Sequence, residues 1–364
     1  RSPLGRRHAS IYGEWPFTLP VRPRFTMDVL ETQFTRDAGV DIPLICGAMY
    51  PCSNPELVAA ASEAGGLGII QPISLMFVHG YDLREGIRYI QEMTDKPIGF
   101  NALVEQSSKV YMERMKRWVD IALEEGVRFF ISALGPPDWV VEKVHAKGGI
   151  VYHDVTELKW AKRAMEGGVD GLSCDNSLAG GHAGQTPPDQ LYDELEGLDV
   201  PLIRAGGVGQ PAQLIEALET GYAGVQMGTR FIATPECNTH LDYKDAIVAA
   251  KADDIVLSEK ISGVPVAVIE TPYVEKVGTE ASWLAKKLLQ HPQGKHLMRT
   301  FYSVKSLFQL RSSSMKGGSY QDYWQAGKSV EGIDDIELTG EIIAEFAREA
   351  RAHFRDQKEP ASAA

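Results

Sequence analysis

From about residue 40 the chain alternates short apolar runs, rich in β-branched residues, with longer stretches in which apolar positions recur at helical spacing. A continuous apolar run bounded by turn residues marks a strand buried on both faces, the hallmark of a parallel sheet with helices on either side. Eight such units follow one another. The predicted strands are Ile42–Cys46, Leu67–Ile70, Pro97–Asn101, Val127–Ile131, Gly149–His153, Val169–Ser173, Val200–Arg204 and Ala223–Met227.

Helix punctuation supports this count. Asn54, Pro55 and Glu56 read as an N-cap, a proline in the first turn and an acid against the helix dipole, and Gly65-Gly66 ends the same helix. Gly148-Gly149 and Gly167-Gly168 are similar stops before the fifth and sixth strands. A doubly wound open sheet uses the same rhythm, but eight consecutive units favour closure. The expected fold is α/β, a (β/α)8 TIM barrel with an additional, mostly helical segment after its last strand.

Past residue 233 the rhythm stops, and residues 240–330 hold helical stretches plus the apolar run Val264–Ile269. Leu338–Phe354 is amphipathic, with Ile342, Ile343, Phe346 and Ala350 on the face expected to return to the barrel. The expected organisation is an irregular arm over 1–25, a barrel over 26–235 plus 330–356, and a lid or small substrate domain over 236–329.

Composition narrows the function classes. Lys and Arg total 37 against 49 Asp and Glu, a net charge of −12, which disfavours nucleic acid and anionic lipid as partners. The four cysteines contain no CxxC pair, and no metal site is expected; a reducing, cytoplasmic setting fits best. No apolar run is long enough to span a membrane, and the first residues lack the apolar core of a secretion signal.

The chemistry is expected at the C-terminal ends of the strands. The seventh strand runs into Ala205-Gly206-Gly207-Val208-Gly209 and the eighth into Gln226-Met227-Gly228-Thr229-Arg230. Barrels commonly hold a phosphate between these two loops, where glycines let backbone N–H groups approach an anion and a helix N-terminus adds positive potential. Either cluster alone fits a plain strand-to-helix turn. Together they imply a phosphate-bearing ligand, which these residues alone leave as FMN or a phosphorylated substrate.

The run Gly224–Cys237 closely resembles the signature that follows the last strand in the nitronate monooxygenase (2-nitropropane dioxygenase) family. Pro43–Met49, Ser62–Gly68, Pro97–Asn101, Ala179–Gly184 and Tyr323–Gly327 also resemble family segments. The resemblance implies FMN at the barrel mouth, its ring near Gly47, Ala48 and Met49, its phosphate on Gly206, Gly207, Gly228 and Thr229. Asn101 matches a flavin-contacting position, and Gly180 and Gly181 would let the backbone approach the ring. It further implies oxidation of an alkyl nitronate, or of a nitroalkane, by O2 to a carbonyl compound and nitrite. The cofactor carries that chemistry and no metal is needed.

His182 matches the family's active-site histidine and lies in a glycine-rich loop after the sixth strand, where barrels place catalytic groups. A neutral imidazole there can remove the α-proton of a nitroalkane or hydrogen-bond a nitronate. His153, at a strand end, is a second candidate to line the pocket. In Asp175-Asn176-Ser177-Leu178 the chain departs from the Gln-Gly and acidic residue that relatives often carry, which affects substrate preference.

An NAD(P)H-dependent flavin reductase with a quinone or enoyl-thioester acceptor uses the same barrel, and a non-catalytic flavin-binding barrel is a third class. The segment 240–330 would suit a bulkier, acyl or polycyclic substrate, with Tyr273 reaching it or serving structure. The partners expected are a small-molecule substrate and O2, with a homodimer left open.

Overall fold

A computed structural model describes residues 28–106, 108–260, 263–280, 307–316 and 323–358. The arm expected over 1–25 lies outside the described residues, as does part of the segment expected to form the lid.

Eight parallel strands close into a barrel in sequence order: β1 (Leu44–Cys46), β2 (Leu67–Ile70), β3 (Ile98–Leu103), β4 (Phe129–Ala133), β5 (Ile150–Val155), β6 (Gly171–Asp175), β7 (Leu202–Ala205) and β8 (Gly224–Met227). β8 pairs back onto β1, with Ile45 opposite Gln226. The fold read from the sequence is therefore the observed one, with most strands displaced toward their C-terminal ends.

Alternation along each strand separates a bore from a shell. Ile45, Leu67, Ile69, Phe129, Ile131, Tyr152 and Ile203 fill the bore, while the opposite positions pack under the helices in a larger apolar cluster. Helix Gln33–Ala38 plugs the N-terminal end. Its Phe34 lies edge-on to Phe129 and Tyr152, the Tyr152 hydroxyl donates to Asp37 at 2.9 Å, and the Thr32 hydroxyl donates to Ala223 O at 2.6 Å. With that end sealed, the C-terminal mouth is the open end of the bore.

Helix Thr339–Lys358 packs on Pro55–Glu63 and Pro211–Thr220, burying Ile342, Ile343, Phe346, Ala347 and Ala350 as its periodicity predicts. It covers the β8–β1 seam, because the helix directly after β8, Thr229–Ile232, is only four residues long. Asn54 occupies the N-cap position, but its amide donates to Glu56 and to Glu236 O while its oxygen accepts from Asn238 N, so it ties the first helix to the post-β8 loop instead of capping.

The apolar run after residue 263 forms a strand, β10 (Val266–Ile269), antiparallel to β9 (Ile255–Ser258). Tyr273 packs edge-on to Tyr323 in the small apolar cluster behind β10, a structural role. Among the described residues all four cysteines are free and no helix is long and apolar enough to cross a membrane.

Because Phe346 is 1% exposed at the seam, Phe346→Ala is expected to cost about 3–5 kcal/mol through lost burial and an unfilled cavity. A denaturant melt reads this directly. A cost below about 1 kcal/mol would mean the helix is not part of the cooperative unit.

Candidate active site

The sequence-selected residues come together at the mouth through backbone contacts. Gly47 N donates to Met227 O at 2.9 Å, and a Cβ on Gly47 would lie 3.1 Å from Gln226 Cγ. Met49 is held by Ser53, whose hydroxyl accepts from its N–H at 2.9 Å, and a Cβ on Gly228 would meet Met49 Sδ at 3.3 Å. Ala48 packs against the bore cluster. Asn101, buried on β3 in the bore-facing register, donates to Ile131 O at 3.4 Å, a long bond.

The loops after β6, β7 and β8 are welded by close approaches. A Cβ on Gly206 would sit 2.6 Å from Ala179 N, and one on Gly180 would sit 2.9 Å from Gly327 N. Gly206 and Gly207 have φ of 110° and 73°, the left-handed region that glycine enters without strain. Gly327 N donates to the Thr229 hydroxyl at 3.0 Å, so residues 323–327 bridge the β6 and β8 loops. β10 extends the clamp: Ala267 N donates to Gly181 O at 2.8 Å, and Ile269 N to Trp324 O at 2.9 Å.

Asn176, which the sequence reading marked only as a departure, proves structural in this weld. Its amide donates to Gly206 O at 3.1 Å and its oxygen accepts from Leu178 N at 2.8 Å. The signal available beforehand was its type, since Asn closes local turns through its side chain. Among the described residues, the backbone N–H groups of Gly206, Gly207, Val208 and Gly228 donate to no protein acceptor. Such a group of free donors around a glycine cradle is chemically suited to an anion.

His182 stands exposed on this clamped loop and makes no hydrogen bond among the described residues. The protein around it still desolvates the imidazole and lowers its pKa below the usual histidine value, leaving the ring neutral at pH 7. His153 behaves differently from the expectation that it lines the pocket. It follows bore-facing Tyr152, turns to the outer face of β5, and Nδ1 meets the Ser132 hydroxyl at 2.8 Å. Burial lowers its pKa to about 4, so it is a neutral core residue.

Two carboxyls face the bore near the mouth. Asp154 on β5 pairs in register with Ser173 on β6, and Asp175 is two residues further along β6. Burial raises both pKa values, and the nearby Asp154 further opposes ionisation of Asp175. The Ser173 hydroxyl offsets part of this for Asp154 without reaching hydrogen-bond geometry; Ser173 Oγ, Asp154 Oδ1 and Gln226 Oε1 are buried without partners. No basic side chain compensates the pair among the described residues.

The sequence model of the nitronate monooxygenase family matches residues 32–349. A Rhodococcus jostii protein named (3aS,4S,5R,7aS)-5-hydroxy-7a-methyl-1-oxo-octahydro-1H-indene-4-carboxyl-CoA dehydrogenase is 31% identical over 252 residues, 69% of each chain. A Staphylococcus saprophyticus protein named "Probable nitronate monooxygenase" is 29% identical over 294 residues, 68% of this chain and 81% of that one. The solved structure of FabK from Thermotoga maritima superposes with a TM-score of 0.74 at 26% identity, covering 90% of this chain and 98% of that one.

The acid pair sets a pH dependence. A carboxyl whose folded pKa is raised favours folding while protonated in both states, and that contribution is lost as pH rises from the unfolded value, near 4, through the folded one, about 7 for Asp154. Wild-type stability should therefore fall between about pH 4 and pH 7 relative to Asp154→Asn, whose profile should be flatter. Parallel profiles from chemical denaturation at each pH would show that the pair carries no such strain.

Proposed function

The chain belongs to the nitronate monooxygenase family of oxidoreductases, and on that premise we propose that it is an FMN-dependent enzyme oxidising a neutral carbon acid, with an acyl thioester as the favoured substrate class. The observation that carries this reading is His182, a neutral imidazole without a hydrogen-bond partner, presented at the mouth by a loop fixed on both sides.

The site's residues fit FMN. The free N–H groups of Gly206, Gly207, Val208 and Gly228 match the acceptors of a phosphate, and the Thr229 hydroxyl, which accepts from Gly327, retains its proton to donate. Gly47, Ala48 and Met49 on the β1 loop and Asn101 on β3 are the groups we assign beside the ring, with Gly180 and Gly181 allowing backbone approach. Bound there, FMN would supply the two-electron acceptor that no side chain provides.

In this reading the substrate lies with the carbon next to its carbonyl against His182. The imidazole takes the α-proton, and the neighbouring carbon gives up its hydrogen with the electron pair, leaving an α,β-unsaturated thioester. The lowered pKa of His182 keeps it in the base form at neutral pH. The carboxyl-CoA dehydrogenase name of the Rhodococcus relative supports the same class. Oxidation of an alkyl nitronate by O2 to a carbonyl compound and nitrite is the second reading, supported by the staphylococcal relative's name.

The test is anaerobic mixing of FMN-loaded protein with a saturated acyl-CoA, with NADPH, and with an alkyl nitronate, following flavin bleaching and the product. Bleaching by acyl-CoA with appearance of the unsaturated thioester is expected. Bleaching by NADPH alone would transfer the assignment to a reductase, and nitrite from nitronate in air with inert acyl-CoA would establish the second reading. His182→Asn should slow reduction by roughly 10²–10⁴-fold while FMN stays bound. Wild-type rates in that variant would remove His182 from the reaction.

A further inference from the structure

Beside the mouth, the helix over residues 307–316 and the turn Ser74–Val78 enclose a cavity of about 540 Å³, lined by Val78, Phe308, Arg311, Ser312, Met315 and Lys316. The helix is fixed from behind. Leu310 is buried with Val266, Val268 and Tyr323; the Ser313 hydroxyl donates to Tyr323 O at 3.1 Å; and Trp324 Nε1 donates to Ser313 O at 3.2 Å. Its Leu307 O accepts from the Tyr50 hydroxyl at 2.9 Å, which ties it to the β1 loop carrying Gly47 to Met49.

On that fixed support the outward side chains have an unusual character. Phe308 is 69% exposed and Phe77, next in the chain to the lining residue Val78, is 49% exposed, both large apolar side chains of a kind usually buried. Among the described residues Arg311 and Lys316 have no carboxylate partner, whereas arginines such as Arg84, Arg163, Arg230 and Arg351 are ion-paired. Arg114, also without a carboxylate, lies 5.9 Å over the Phe77 ring. In a protein of net charge −12, free cations beside open aromatic faces form a local reversal of sign.

Aromatic faces stack on a heteroaromatic base, unpaired Arg and Lys take phosphates, and a cavity of this volume falls in the ordinary range for a small-molecule site. We propose that this cavity binds the adenosine-phosphate handle of the substrate, the nucleotide end of a coenzyme A thioester, while the acyl end enters the mouth. This rests on the acyl-thioester reading. The same chemistry is present in NADPH, the other nucleotide that a flavin enzyme of this kind could meet, and the test separates the two.

The measurement is calorimetric titration of the FMN-loaded protein with unacylated coenzyme A and, separately, with NADPH, for wild type, Arg311→Ala/Lys316→Ala and Phe308→Ala. All three changes are at solvent-exposed positions, and flavin content and melting temperature serve as fold controls. Wild type should bind coenzyme A, with affinity falling as salt rises; the double variant should bind at least tenfold more weakly, and Phe308→Ala should weaken binding as well. In steady state the double variant should raise KM for an acyl-CoA while leaving KM for the matching N-acetylcysteamine thioester, which lacks the nucleotide, unchanged.

Coenzyme A binding that is undetectable in wild type, or equal in wild type and variants, would overturn the proposal. NADPH binding that is lost in the variants, with coenzyme A unaffected, would overturn the choice of handle. Weakened coenzyme A binding in variants of a protein that oxidises no thioester would leave the anchor standing and remove the reaction. Thioester oxidation with unchanged KM in the variants would do the reverse.

Discussion

The site depends on backbone meeting backbone where no side chain fits. Ala179 lies against Gly206, Gly180 against Gly327, and Gly327 in turn donates to Thr229. A single methyl at Gly180 or Gly206 would overlap main-chain atoms that cannot yield without moving a loop. This constraint fixes the relative position of three loops, and with them the glycine cradle and His182. The barrel supplies the frame, but residues beyond its last strand close the contact.

Two electrostatic facts then give the mouth its character. Among the described residues the cradle offers free backbone donors, a geometry suited to an anion. A short way down the bore, Asp154 and Asp175 are buried together with no counter-charge among the described residues, and His182 is neutral at the rim. Burial therefore disfavours charge on all three groups: it opposes ionisation of the two acids and protonation of the imidazole. The positive side chains lie apart, around the cavity beside the mouth.

Much of this was legible from the chain. The eight apolar runs located the strands because a parallel barrel buries both strand faces, and the Gly206-Gly207 pair after β7 stood out because its left-handed turn demands glycine. The acid pair was not legible. The fifth and sixth strands read as ending at His153 and Ser173, whereas pairing continues to Val155 and Asp175, which turns two apparent loop acids inward. His153 was misplaced for the same reason: facing depends on register, and one residue reverses it. The clamp of residues 323–327 and β10 on Gly180–Gly181 joins positions far apart in sequence, where no local pattern reports contact.

The central claim, that the welded loops form an FMN phosphate site, is tested most directly by titrating flavin-free protein with FMN and with riboflavin and following quenching of flavin fluorescence. The account predicts one tight FMN site per chain, with riboflavin, which lacks the phosphate, bound at least 100-fold more weakly. Equal affinity for the two, or no binding of either, would contradict it.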